Sequence, residues 1–156
     1  MEQAKLVFTG KPFPDSLMDQ QQSFQAENVR LEADSAFQIW LQNTGKIQER
    51  ARLLVFGPSH FMYWYGLVSP QPLTPGAGLL AYELPAAQIA QRVQSGDLAA
   101  FDRPLSQTIP DFLHALTQQG VAVYQNLGDS PTPYLLETLD LDKQKLTQSL
   151  YLGASH

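Results

Sequence analysis

The chain has 156 residues, 15 acidic against 10 basic side chains for a net charge of −5, and no cysteine, enough length for one domain that buries a core without disulfides or metal. Its Lys and Arg are scattered singly, so it lacks the basic stripe that nucleic-acid affinity requires, and without cysteine there is no thiolate catalysis and no cysteine metal site. The apolar runs fall far short of the ~18 residues of a spanning helix, and Met-Glu-Gln-Ala-Lys at the start lacks the basic-then-apolar order of a signal peptide. The expectation is a soluble cytoplasmic protein.

In chain order, Lys5 to Thr9 alternates as an opening strand, and Gly10 to Pro14 ends it through turn chemistry. Ser16 to Glu32 is rich in Gln with widely spaced apolar residues and reads as a long loop, with a strand at Asn28 to Leu31. Asp34 is an N-cap, followed by Phe37, Trp40 and Leu41 at helical spacing and a stop at Thr44-Gly45. Arg52 to Phe56 is a strand, Gly57-Pro58-Ser59 a turn, and Phe61 to Val68 an aromatic central strand. Period-2 geometry puts Phe61, Tyr63, Tyr65 and Leu67 on one face of that strand and Met62, Trp64, Gly66 and Val68 on the other. Pro70, Pro72 and Pro75 with Gly76 and Gly78 form a rigid connector.

Gly78 to Leu84 resumes as a strand, and Gln88 to Gln94 fits either a helical turn or a strand. From Pro104, the residues Leu105, Ile109, Phe112, Leu113 and Leu116 mark a second amphipathic helix ended by Gly120, with Pro110 as a kink or a restart capped by Thr108. Val121 to Gln125 reads as a strand, Leu127 to Pro133 as a loop, and Tyr134 to Asp140 and Gln148 to Leu152 as strands. Helix, stop, strand, turn, strand thus occurs twice, which predicts an α+β domain with two helices on one face of an antiparallel sheet.

Ile39-Trp40, Tyr65-Gly66-Leu67-Val68, Leu84-Pro85-Ala86, Ser95-Gly96 and the late strands around Glu137 and Tyr151 resemble, in order and spacing, the GyrI-like family, the effector-binding domains of multidrug-responsive transcription activators. The resemblance covers about Lys5 to Leu152. It implies a single domain over 1–156 made of two pseudo-symmetric strand-helix-strand-strand units, halves about 1–70 and 77–156, with a ligand cleft between them. It also implies a strand directly after Leu84-Pro85-Ala86, which decides Gln88 to Gln94. Similar members bind amphipathic, often cationic aromatics against a buried carboxylate, and some hydrolyse reactive cyclopropane compounds. The family acid often stands on the last strand, where this chain has Ser149. No helix-turn-helix precedes the domain, so activator function is not implied.

The candidate binding residues are Trp40, Tyr63, Tyr65, Tyr82, Glu137, Ser149 and Tyr151. Tyr63 and Tyr65 share a face and offer adjacent rings for a flat ligand. Trp40 doubles as a core anchor, and Tyr82 and Tyr151 are candidates for the same wall. Glu137 shares parity with Leu135, Leu139 and Leu141, so if buried it must be hydrogen-bonded, neutral or paired with a cation. The orientation favoured from sequence is the sheet rim, which leaves a cleft preferring neutral aromatics. Two other readings are a hydrolase using Glu137 with a tyrosine, and a protein-interaction module or homodimer using the uncovered sheet face. His60, His114 and His156 are too dispersed for a metal site. Gly76-Ala77-Gly78-Leu79-Leu80-Ala81 formally fits a dinucleotide fingerprint, but it follows prolines and precedes a strand, so no cofactor is expected.

Overall fold

Eight strands occur among the described residues, 1–154 of the computed structural model; His156 lies outside them. They are β1 (Glu2–Gln3), β2 (Leu6–Pro14), β3 (Glu49–Phe56), β4 (Phe61–Ser69), β5 (Leu80–Leu84), β6 (Ala87–Ser95), β7 (Tyr134–Asp140) and β8 (Lys145–Ala154). They form one sheet in the order β1-β6-β8-β7-β3-β4-β2-β5, and neighbouring strands pair antiparallel. Three α-helices accompany it, α1 (Gln25–Glu32), α2 (Ser35–Thr44) and α3 (Leu105–Gln118). The strand-helix-strand-strand plan is present twice, as β2-α1α2-β3-β4 and β6-α3-β7-β8, and the two units meet where β3 pairs with β7.

The helix around Trp40 forms as its sequence dictates. The Asp34 side chain accepts from the Ala36 and Phe37 amides, and Gly45 ends the helix at φ 75, a left-handed conformation that costs a glycine nothing. The strand over Gln88 to Gln94 also forms, within β6. Four expectations are corrected. Ser16 to Glu32 is not a loop with a strand, because Gln25–Glu32 is helical. That helix buries only Asn28 and Leu31 and therefore carries no apolar stripe for periodicity to detect. Gly10 to Pro14 does not turn but continues β2, pairing with Met62 to Gly66 of β4. Beyond Gly10 the partner β5 has ended, so Pro12 and Pro14 stand where the strand has one free edge, which proline tolerates. Val121 to Gln125 is irregular; Val121 and Val123 pack on the helix-side core without a ladder partner. Finally, α1 joins α2 and α3, so the helices number three among the described residues, and α3 runs through Pro110 without a restart at Thr108.

The sheet is strongly curled. Tyr82 on β5 and Tyr134 on β7 are four strand spacings apart, about 19 Å on a flat sheet. Their ring centroids lie 5.8 Å apart, so the face opposite the helices is concave. Two apolar layers result. Between sheet and helices lie Phe24, Phe37, Leu41, Leu54, Tyr63, Tyr65, Phe101, Phe112 and Leu116. On the concave side lie Phe8, Leu53, Trp64, Leu84, Ile89, Leu136 and Tyr151. Close strand approach at the curl is permitted by Gly10 and Gly66, which face each other in register. A Cβ on Gly66 would stand 2.1 Å from the Thr9 carbonyl oxygen, and one on Gly10 2.3 Å from that of Tyr65.

Candidate ligand-binding site

The seven residues proposed from sequence fall in three places. Tyr63, Tyr65 and Glu137 are on the helix-covered face, and all are buried. Phe24 stacks on the Tyr63 ring at 4.0 Å and 4°, so the chain itself provides the flat partner expected of a ligand. The Tyr63 hydroxyl donates to Asn28 Oδ1 of α1 at 2.6 Å, and the Tyr65 hydroxyl donates to Glu32 Oε2. Burial pushes both phenol pKa values far above the ordinary value, so both stay neutral donors.

Glu137 is 1% exposed, which overturns the rim orientation. Its Oε1 accepts from Arg52 Nε and its Oε2 accepts from Gln148 Nε2 at 2.7 Å. Arg52, also 1% exposed, donates through Nη1 to the Phe101 carbonyl at 2.8 Å and lies 4.7 Å from the Phe101 ring centroid. Burial alone would depress the guanidinium pKa, but the Glu137 charge, the hydrogen bond to it and the influence of Tyr63 together leave it raised. The buried acid therefore has its counter-ion within the chain, and both of its oxygens are engaged.

The same face holds a second ion pair at its edge. Arg50 Nε donates to Glu32 Oε2 at 2.7 Å, and Gln38 Nε2 donates to Glu32 Oε1 at 3.2 Å. Burial raises the Glu32 pKa, but hydrogen bonds from Arg50, Tyr65 and Gln38 and the Arg50 charge together leave it lowered. A carboxylate with a depressed folded pKa stabilises above its unfolded pKa, and that contribution is lost as pH falls through the folded value. Glu32→Gln is therefore expected to cost roughly 1 kcal/mol at neutral pH and to flatten the acid limb of a stability–pH curve measured by urea unfolding. An unchanged acid limb would refute this.

Trp40 sits elsewhere. Its Nε1 donates to the Thr74 carbonyl at 2.8 Å, which ties α2 to the proline connector. The ring lies under Gly76, where a Cβ would stand 3.1 Å from it. Between α2 and the connector is an open groove of about 620 Å³, lined by Ile39, Trp40, Asn43, Pro72, Leu73 and Pro75.

Tyr82, Ser149 and Tyr151 come together on the concave face, and two residues outside the sequence-derived set, Trp64 and Tyr134, complete the array. The rings meet edge to face in a continuous series. Trp64 and Tyr82 are 5.4 Å apart at 60°, Tyr82 and Tyr134 5.8 Å at 75°, and Tyr134 and Tyr151 5.6 Å at 87°. Phe8 extends the series from Trp64 at 6.3 Å. The Tyr82 hydroxyl donates to that of Tyr134 at 3.2 Å, and Ser149 Oγ accepts from Gln91 Nε2 at 3.0 Å. The Tyr151 hydroxyl is buried without a partner among the described residues. Burial raises the Tyr82 pKa, and burial and Tyr134 push that of Tyr151 up to about 12.

This architecture is shared with known structures. A Staphylococcus aureus MU50 protein named for bacterial transcription regulation superposes with a TM-score of 0.62 at 14% identity, over 99% of this chain and 96% of that one. SAV2435 bound to tetraphenylphosphonium gives 0.55 at 10% identity, over 99% and 92%. EcmrR, in a complex with DNA, gives 0.52 at 9% identity, and there the match spans 99% of this chain and 56% of EcmrR. This is the GyrI-like effector-binding fold. No protein-family profile and no curated protein matches the sequence. At such identities the likeness is one of fold, so the site must be argued from the residues of this chain.

Within the GyrI-like fold, Glu137 and Ser149 lie on opposite faces, because Glu137 pairs with Gln148 and Leu136 pairs with Ser149. Ser149, the position that the resemblance matches to a family acid, therefore faces the concave array with an uncharged hydroxyl. Trp64 was legible from strand parity, being set opposite Tyr63 and Tyr65. Arg52 also left a signal in the sequence, a charge set between Ala51 and the apolar run Leu53 to Phe56.

Proposed function

We propose that the protein binds small, uncharged aromatic or amphipathic molecules on its concave face, as a sensor or sequestering protein. One observation carries this reading: Trp64, Tyr82, Tyr134 and Tyr151 converge from four different strands, two on either side of the β3–β7 pairing, into one ring series. Apolar side chains, Phe8, Leu53, Leu84, Ile89 and Leu136, pack around it. Tyr82 and Tyr134 are only partly buried, and each ring-on-ring contact is worth about 0.5–1.5 kcal/mol, so an aromatic ligand can take the place of one ring against the next. SAV2435 binds a lipophilic cation. In this chain the buried acid is already matched by Arg52, which supports a neutral ligand. Hydrolysis through Glu137 is disfavoured because both carboxylate oxygens are held in the interior.

A thermal-shift series with neutral polycyclic aromatics and lipophilic cations tests the reading. A ligand at 100 times its Kd should add about 2.7 kcal/mol of stability, and neutral compounds should give the larger shifts. Tyr82→Ala should weaken binding roughly tenfold, whereas Trp40→Phe should leave it unchanged. The absence of any shift with neutral aromatics, or an affinity that depends on Trp40 and not on Tyr82, would refute the concave site.

A further inference from the structure

We propose that the concave array selects neutral aromatics that carry a hydrogen-bond acceptor such as a ring carbonyl, and that the Tyr151 hydroxyl reads that acceptor. The inference rests on the binding reading above and adds a chemical class to it. A phenol has one proton to give, and that of Tyr151 is buried with no group among the described residues to accept it. Tyr151 is 2% exposed and sits edge-on to Tyr134, within the ring series. Tyr134 and Tyr151 also border a small cavity of about 20 Å³, lined in addition by Val123, Leu127, Thr132 and Leu150. The only hydroxyl–hydroxyl bond in the series among the described residues runs from Tyr82 to Tyr134, so Tyr134 acts as acceptor there and keeps its own proton for a second contact.

Tyr134 and Tyr151 therefore each keep an O–H proton to donate. The side chains packed around the rings are apolar, so a charged ligand lying among them would be buried without an adjacent counter-ion. A neutral ring with a carbonyl satisfies both conditions. It replaces ring-on-ring packing and accepts the proton that the fold leaves unpaired.

The test is isothermal titration with 9-fluorenone and fluorene, flat neutral molecules of nearly the same shape that differ in a carbonyl against a methylene. The unmodified protein should bind fluorenone about tenfold more tightly than fluorene. Tyr151→Phe, which keeps the ring, should abolish that preference by weakening fluorenone alone, and Tyr134→Phe should reduce it less. Equal affinity for the two compounds, or a preference that survives Tyr151→Phe, would overturn the inference while leaving aromatic binding intact. Failure of both compounds to bind would overturn the concave site itself, and the inference with it.

Discussion

Arg52→Ala is expected to lower stability by about 3–5 kcal/mol at neutral pH, the usual consequence of leaving one member of a buried ion pair alone. The Glu137 carboxylate would remain in the interior with Gln148 as its only polar contact among the described residues. Urea unfolding at pH 7.5 should show the deficit, and added methylguanidinium should restore part of the loss by refilling the space. A loss below ~1 kcal/mol, the range of exposed pairs, or no recovery with methylguanidinium, would show that the pair does not hold the interior as its geometry implies.

Gly66→Ala is expected to cost about 3 kcal/mol or more, at the upper end of what overpacking does. Its added methyl would meet the Thr9 carbonyl oxygen at 2.1 Å and Gly10 Cα at 2.6 Å. Both are backbone atoms, so no rotamer change relieves the contact and β2 must part from β4. Gly45→Ala is the matched control. Its backbone is left-handed at φ +75, but nothing lies within 4 Å of the added atom, so only the conformational cost of about 1–2 kcal/mol applies. Chemical denaturation of the two variants should rank them in that order; the reverse order would mean that the sheet relaxes at the curl.

Element types were legible wherever one period dominated. Asp34 to Gly45 and Leu105 to Gly120 carry apolar stripes, and the aromatic alternation of Phe61 to Val68 admits only a strand. α1 was not legible because it is held largely by polar contacts. Asn28 bonds to Phe101 and Tyr63, and Glu32 bonds to Arg50 and Tyr65, and no hydropathy pattern records such contacts. Strand parity sorted Tyr63 from Trp64, but it could not tell which set the helices would cover, since both are aromatic. The array was half legible for the same reason: Tyr82 and Tyr151 stood out as aromatics on strands, whereas their meeting with Trp64 and Tyr134 depends on a curl that a one-dimensional pattern does not encode.

The order of strands also governs how the chain can assemble. β1 lies against β6, and β5 lies against β2, so each half is edged by a segment that the sequence places with the other. Glu2 and Gln3 have no ladder partner until Gln88 and Ala87 exist, and β6 in turn gains its other neighbour only from β8, with Ala154 opposite Ala87. As the chain is synthesised the first half can fold β2, β3 and β4 early, but its opening residues must wait for the second half, and the sheet closes only when the last strand arrives. Contacts this distant in sequence slow folding, so the halves should mature together as one cooperative unit.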